Sequence, residues 1–286
     1  MPKLLWHHPV PGGQKTRDGF EIHWHTPWVM GIVNVTPDSF SDGGKSQKHC
    51  VEHALHLEKM GAHILDIGAE STRPGAEEID IETELDRLMP VLNALQNNTS
   101  ALISVDTRKP EVAREALKAG AHLINDVSGL RHPDMVSVCA EFGVPAIIMH
   151  MKGTPQTMQN KPQYQNAAQE VGAFLTERAE HALASGVPSV AIDPGFGFGK
   201  SLEHNIALLQ NLRQLTRLNY PVLVGLSRKN MVGQLGDTEH PKDRDFGTVA
   251  AHLFAIEQGA AIVRVHDVFG HVQALKVWNA LRGNHG

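Results

Sequence analysis

The sequence predicts a TIM (β/α)8 barrel with a short N-terminal strand pair capping the barrel bottom. Three observations lead there. Eight short runs rich in Val and Ile alternate with amphipathic helical patterns, the signature of parallel strands joined by helical crossovers. Nearly every run ends in polar residues, among them Asn34, Asp66, Asp106, Asn125, Asp193, Lys229 and His266, as where buried strands deliver side chains to one rim. The 286 residues also accommodate one barrel of about 250. A doubly wound open sheet is the competing fold. It fits less well, because no GxGxxG turn follows the first strand and the polar residues do not gather at one switch point.

Residues 1–28 precede the alternation. Their Trp6, Phe20, Ile22, Trp24 and Trp28 predict the capping strands, so the chain divides into an extension over 1–28 and a barrel over 29–286. The barrel strands are expected at 29–35, 63–68, 102–106, 123–127, 145–150, 190–193, 221–226 and 261–266. Between the second and third, Leu85, Leu88, Met89, Leu92 and Leu95 recur at helical spacing. The next helix is punctuated by Pro110 in its first turn and Gly120 at its end, with Val112, Ala113, Ala116 and Leu117 facing inward. The longest helix is expected within 165–185, with Val171, Phe174, Leu175 and Ala182 on one face.

Composition narrows the function classes. A formal charge of -5 with no stripe of Lys and Arg argues against a nucleic-acid surface. A small anion remains an acceptable ligand, because surface charge is screened beyond roughly 8 Å and local cations decide. Cys50 and Cys139 are distant in sequence and imply no disulfide framework; together with the lack of a signal-like or membrane-spanning apolar run, this predicts a cytoplasmic protein.

Three motifs are decoys. Gly199-Lys200-Ser201 ends like a phosphate-binding loop, but Pro194 stands where that pattern needs glycine. His49 and His53 in HCVEH match a zinc-protease spacing, yet in a chain with 18 histidines a solvated helix flank explains them better. His7, His8, His23 and His25 read as surface residues of the barrel bottom. The strand-end polar residues are different: each alone fits a cap or turn, but several follow two or more apolar residues, and so deep a polar group is costly unless partnered. Arg264 and His266 are two apart and share one side of the last strand, where TIM barrels commonly bind phosphate. Lys229 and Arg73 add positive charge at the same rim.

In order, MGIVNVTPDSFSDGG, LDIGAESTRPGA, SVDTRKPEVA, INDVSG, DPGFGFGK, LSRK and RVHDV resemble the dihydropteroate synthase family of pterin-binding enzymes. The resemblance runs from Val29 to the end, with Ala69 and Asn230 as small departures. It implies a transferase of folate biosynthesis that condenses 6-hydroxymethyl-7,8-dihydropterin diphosphate with 4-aminobenzoate, giving 7,8-dihydropteroate and diphosphate. By the same resemblance Asp193, Asn125 and Asp106 meet the pterin, and Lys229 meets both the ring and the aminobenzoate. Arg264 and His266 hold diphosphate, with Mg2+ bound through the Asn34 carbonyl oxygen. Asp106, Lys229, Arg264 and His266 are the expected catalytic set. Phe40, Thr72, Pro74 and Phe198 frame the aromatic amine, Arg73 is a further substrate-binding cation, and the loops over 36–44 and 71–75 close over the site. Sulfonamides are the expected inhibitors and a homodimer the expected assembly. A methyltetrahydrofolate-dependent methyltransferase of the same pterin-binding family and a non-catalytic pterin-binding protein are the alternatives; neither uses a diphosphate clamp.

Overall fold

Val, Ile and Leu fill the buried positions of every barrel strand, because parallel strands are covered on both faces. The computed structural model describes residues 1–35, 43–72, 75–158 and 161–283. An amino-terminal unit holds β1 (Lys3–Trp6), β2 (Gln14–Lys15) and β3 (Phe20–His23). The barrel strands follow as β4 (Trp28–Asn34), β5 (Ile64–Gly68), β6 (Leu102–Asp106), β7 (Leu123–Asp126), β8 (Ala146–Met149), β9 (Val190–Asp193), β10 (Leu223–Val224) and β11 (Ile262–Val265). Interleaved helices are α1 (Gly43–Lys59), α2 (Ile81–Leu95), α3 (Pro110–Lys118), α4 (Pro133–Phe142), α5 (Ala167–Ala184), α6 (Leu202–Gln210), α7 (Arg213–Thr216), α8 (Asn230–Leu235), α9 (Asp245–Glu257) and α10 (Val268–Leu281).

The eight parallel strands run in the order β10-β11-β4-β5-β6-β7-β8-β9, and a parallel bridge between Ile192 and Val222 joins the two ends. This is the expected barrel. Local chemistry sets the helix boundaries: Asp80 caps α2 by accepting from the Thr83 amide at 2.7 Å, Pro110 opens α3, and Gly143 ends α4 at φ 62°.

Two expectations need correction. The amino-terminal cap is a three-stranded antiparallel sheet in the order β1-β3-β2, because Gln14 and Lys15 add a short edge beside Phe20 and Glu21. The seventh barrel strand is much shorter than 221–226, because Leu226 leaves the ladder for a turn closed by Lys229 N–H donating to Leu226 O at 3.1 Å.

The cap sits under the barrel. Trp6 Nε1 donates to His122 O at 2.6 Å, Leu5 N to Ser189 Oγ at 2.8 Å, His7 N to Gly143 O at 2.9 Å, and Trp24 Nε1 to Ala261 O at 3.3 Å. Each acceptor lies just ahead of a barrel strand, at the end opposite the polar strand ends. Among the described residues no helix is long and apolar enough to cross a membrane.

Candidate active site

Strand register assembles the site. Asn34 pairs with Gly68, Gly68 with Asp106, and Asp106 with Asn125, so four neighbouring strands end at one level. Gly68 is the spacer of this row: a Cβ there would stand 3.3 Å from Asp106 Cβ and crowd the carboxyl. Asp66, one layer deeper, is fully buried.

Arg264 reaches across the barrel mouth and bridges the two acids. Its Nε donates to Asp66 Oδ2 at 2.6 Å and its Nη2 to Asp106 Oδ2 at 2.9 Å, while Asn125 Nδ2 donates to the same Asp66 oxygen at 3.1 Å. Among the described residues, the other oxygens, Asp66 Oδ1 and Asp106 Oδ1, are buried without a hydrogen-bond partner, as is Ser104 Oγ. A buried acceptor without a donor is costly, so this spot is built to be completed by something else. Burial pushes the Asp106 carboxyl up to about 7 against the pull of Arg264, with Asp66, Asp126 and Glu84 adding repulsion. Burial weakens the Arg264 charge, but the facing acids more than compensate and raise its pKa.

On the opposite wall Asp193 ends β9, and its Oδ1 accepts from Gly195 N at 2.7 Å. Its pKa is raised by burial and drawn back by Lys229. The Lys229 ammonium donates to Phe196 O and lies 4.7 Å from the centre of the Phe198 ring, a cation–π contact. Burial drops Lys229 to about 8, opposed by Asp193. Phe198 itself packs on a small apolar group of Val127, Met149, Met151 and Met158, which supplies an apolar wall beside the polar edge. His266 is held by Ser227: the His266 amide donates to Ser227 Oγ at 3.1 Å, and that hydroxyl lies 2.9 Å from His266 Nδ1.

The strand-end residues Asp106, Asn125, Asp193, Lys229, Arg264 and His266 therefore share one mouth. Asn34 is exposed at the same rim, and half-buried Thr72 lies in the loop after β5. Phe40, Arg73 and Pro74, with most of the loop 36–44, lie outside the described residues. His49 and His53 are exposed on α1, and among the described residues no three His, Cys, Asp or Glu side chains gather to hold a metal. A site for Mg2+ here offers one amide oxygen, Asn34, which fits an ion that keeps most of its ligands as water and substrate phosphate.

The family described as pterin binding enzyme matches residues 30–266. A dihydropteroate synthase of Escherichia coli strain K12 is 47% identical over 266 residues, covering 92% of this chain and 94% of its own. The chain belongs to the dihydropteroate synthases. A Xanthomonas albilineans dihydropteroate synthase solved with 4-aminobenzoic acid superposes with TM-score 0.86 at 48% identity, covering 92% of this chain and 95% of its own. The Thermus thermophilus enzyme in complex with 6HMPPP superposes with TM-score 0.82 at 45% identity, covering 97% and 99%.

Some features of this dihydropteroate synthase fold had no distinct signal in the sequence. Ser227 sits inside the LSRK motif, but nothing in its spacing points to His266. Lys200 belongs to a rejected phosphate-loop pattern; in the fold it is buried, with its ammonium 2.9 Å from His150 Nδ1 and donating to Gly195 O at 2.8 Å and Phe198 O at 3.0 Å. It braces the loop that carries Asp193 and Phe198. Glu70, Glu84 and Lys109 likewise carry no sequence signal of a shared contact. Lys109 Nζ instead reaches Glu84 at 2.6 Å and Glu70 at 3.1 Å, tying the loops after β5 and β6 together.

Proposed function

We infer that this barrel mouth takes a pterin edge against Asp193 and Asn125 and a diphosphate against Arg264 and His266. The chain is a transferase of folate biosynthesis: it condenses 6-hydroxymethyl-7,8-dihydropterin diphosphate with 4-aminobenzoate to give 7,8-dihydropteroate and diphosphate. The observation that carries the reading is the convergence of buried acids, an amide and three basic side chains beside an apolar wall.

The roles follow from donor and acceptor geometry. A pterin edge presents a 2-amino group and an N3–H, two parallel donors, and the Asp193 carboxylate is the group that accepts both. Asn125, oriented by its bond to Asp66, meets the neighbouring ring edge. Asp106 places negative charge beside the ring, where it stabilises positive charge developing at the pterin methylene as the C–O bond to diphosphate breaks. Arg264 and His266 neutralise the departing diphosphate. The amine of 4-aminobenzoate then forms the C–N bond and loses a proton, with Lys229 and Phe198 lining its approach; Thr72, Pro74 and Phe40 are assigned to the same amine, and Arg73 to substrate binding, by the family resemblance alone. Neither cysteine serves as a nucleophile: Cys50 and Cys139 are buried on α1 and α4, and burial pushes their thiols up to about 11 and about 12.

Mg2+ would be held by Asn34 Oδ1 together with diphosphate oxygens and water, and it supplies further neutralisation of the leaving group. Sulfonamides, which carry the same arylamine, occupy the aminobenzoate position and act as inhibitors. A homodimer is supported by the exposed apolar side chains of Phe246 and Phe254 on α9 and Phe269, Val277 and Leu281 on α10. A cytoplasmic setting accords with two free cysteines.

Calorimetric titration tests the binding roles. Asp193→Asn should weaken the pterin by roughly a hundredfold, because the fork loses its charge. Unchanged pterin affinity rejects the assignment.

A further inference from the structure

Two buried imidazoles that touch none of the groups assigned to substrate join the segments that carry those groups. Leu226 lies beyond the β10 ladder, which ends at Val224, and its amide donates to His252 Nε2 at 3.0 Å. His252 Nδ1 stands 2.9 Å from His271 Nε2, and His271 Nδ1 stands 2.6 Å from the Asp267 carbonyl oxygen. His252 is 0% exposed and His271 3%. An amide N–H only donates, so His252 Nε2 carries no proton; a carbonyl only accepts, so His271 Nδ1 carries one. With both rings neutral, the middle contact is His252 Nδ1–H donating to His271 Nε2. One protonation state satisfies all three contacts, and a second proton on either ring sets N–H against N–H.

The ends of this chain of bonds are the informative part. Leu226 opens the turn that delivers Lys229, whose amide donates back to Leu226 O at 3.1 Å, and Arg228 within it sits at φ 59°. One face of α9 grips the turn. Asp245 takes the Arg228 guanidinium at 2.8 and 2.7 Å, Thr248 Oγ1 accepts from Arg228 N at 3.2 Å, and His252 accepts from Leu226, at spacings of three and four residues. Asp267, at the other end, directly follows His266 and lies three residues after Arg264.

We propose that His252 and His271 form a neutral imidazole relay that fixes the Lys229 turn against the Arg264–His266 strand end, making both histidines positioning residues for the condensation. The proposal rests on the synthase reading above. His252 faces the His271 imidazole from α10 and the Lys229 ammonium from the β10 turn, and desolvation, with the Lys229 charge opposing a second proton, holds it well below the usual imidazole range. His271 faces Asp267 and Asp245, yet burial still lowers it. The relay is therefore intact at neutral pH and breaks only in acid.

Steady-state kinetics of His252→Leu, with its melting temperature, is the first test. The relay predicts that KM for both substrates rises by roughly tenfold, as expected when reacting groups are displaced by a fraction of an ångström. His252→Gln, whose carbonyl oxygen can accept from the Leu226 amide, should recover part of that loss. A leucine variant whose KM and kcat stay within about twofold of the parent, with only the melting temperature lowered, makes the pair merely structural and overturns the proposal. Should His252→Leu not fold, imidazole 15N shifts of the parent chain decide: two neutral rings protonated at Nδ1 near pH 7 support the relay, and an Nε2–H or doubly protonated ring at either position overturns it. Those shifts are read without substrate. Failure of the parent chain to turn over its substrates would thus sink the synthase reading separately.

Discussion

Asp106 and Lys229 carry the pH behaviour of the site. Asp106 is pushed up to about 7 by burial and Lys229 down to about 8, also by burial. With Asp106 needed as carboxylate and Lys229 as ammonium, kcat/KM should form a narrow bell with limbs near those values. Asp106→Asn should erase the acid limb while lowering the maximum; a variant that keeps the limb would reassign it. Stability gives an independent reading. A carboxyl whose folded pKa is raised binds its proton more tightly in the native state, so its contribution is present below the unfolded value and lost as pH rises through about 7. The melting temperature of Asp106→Asn relative to the parent should therefore climb between pH 5 and pH 8, and calorimetry at the two pH values reads it. At this scale the strand-end acids and cations were legible as a group, because each alone fits a cap or turn but several polar residues closing apolar runs are costly to bury unless partnered. Ser227, His252 and His271 were not, since their partners are distant in sequence and joined only by the closed barrel.

At the scale of elements, the loop after β9 shows how a site is braced from beneath. Lys200 is 3% exposed and ties Gly195 O, Phe198 O and His150 Nδ1 to one ammonium. Lys200→Met should cost about 3 kcal/mol in urea unfolding, because those buried acceptors lose their donor. It should also weaken pterin binding through Asp193 and Phe198, and a variant as stable as its parent would show the ammonium is dispensable. Gly195 is fixed by the same loop: at φ 66°, a Cβ would stand 1.9 Å from His150 O, so Gly195→Ala should not fold to a binding-competent form in a pterin titration. The alternation of strands and helices was plain in the sequence, and the limits of β6 and β9 follow from their apolar runs. The shortness of β10 was not, because residues 221–226 read as one apolar run and only the turn at Lys229 stops the ladder.

Across the whole molecule, stability and chemistry occupy opposite ends of the barrel. The amino-terminal sheet seals the bottom with Leu4, Trp6, Ile22 and Trp24, all buried, while the polar residues gather at the other rim. Trp6→Ala should cost about 3 to 5 kcal/mol, from lost burial and the lost bond to His122 O, and leave both KM values unchanged. A KM shift without a stability loss would contradict this separation. The tryptophans announced a plug, but the third strand was hidden in the two polar residues Gln14 and Lys15. The central claim is that this rim joins a pterin to an arylamine, and diphosphate release from 6-hydroxymethyl-7,8-dihydropterin diphosphate with Mg2+, with and without 4-aminobenzoate, tests it most directly. Release that depends on 4-aminobenzoate and yields a product with the mass of 7,8-dihydropteroate is the expected result; pterin binding without that product would contradict it.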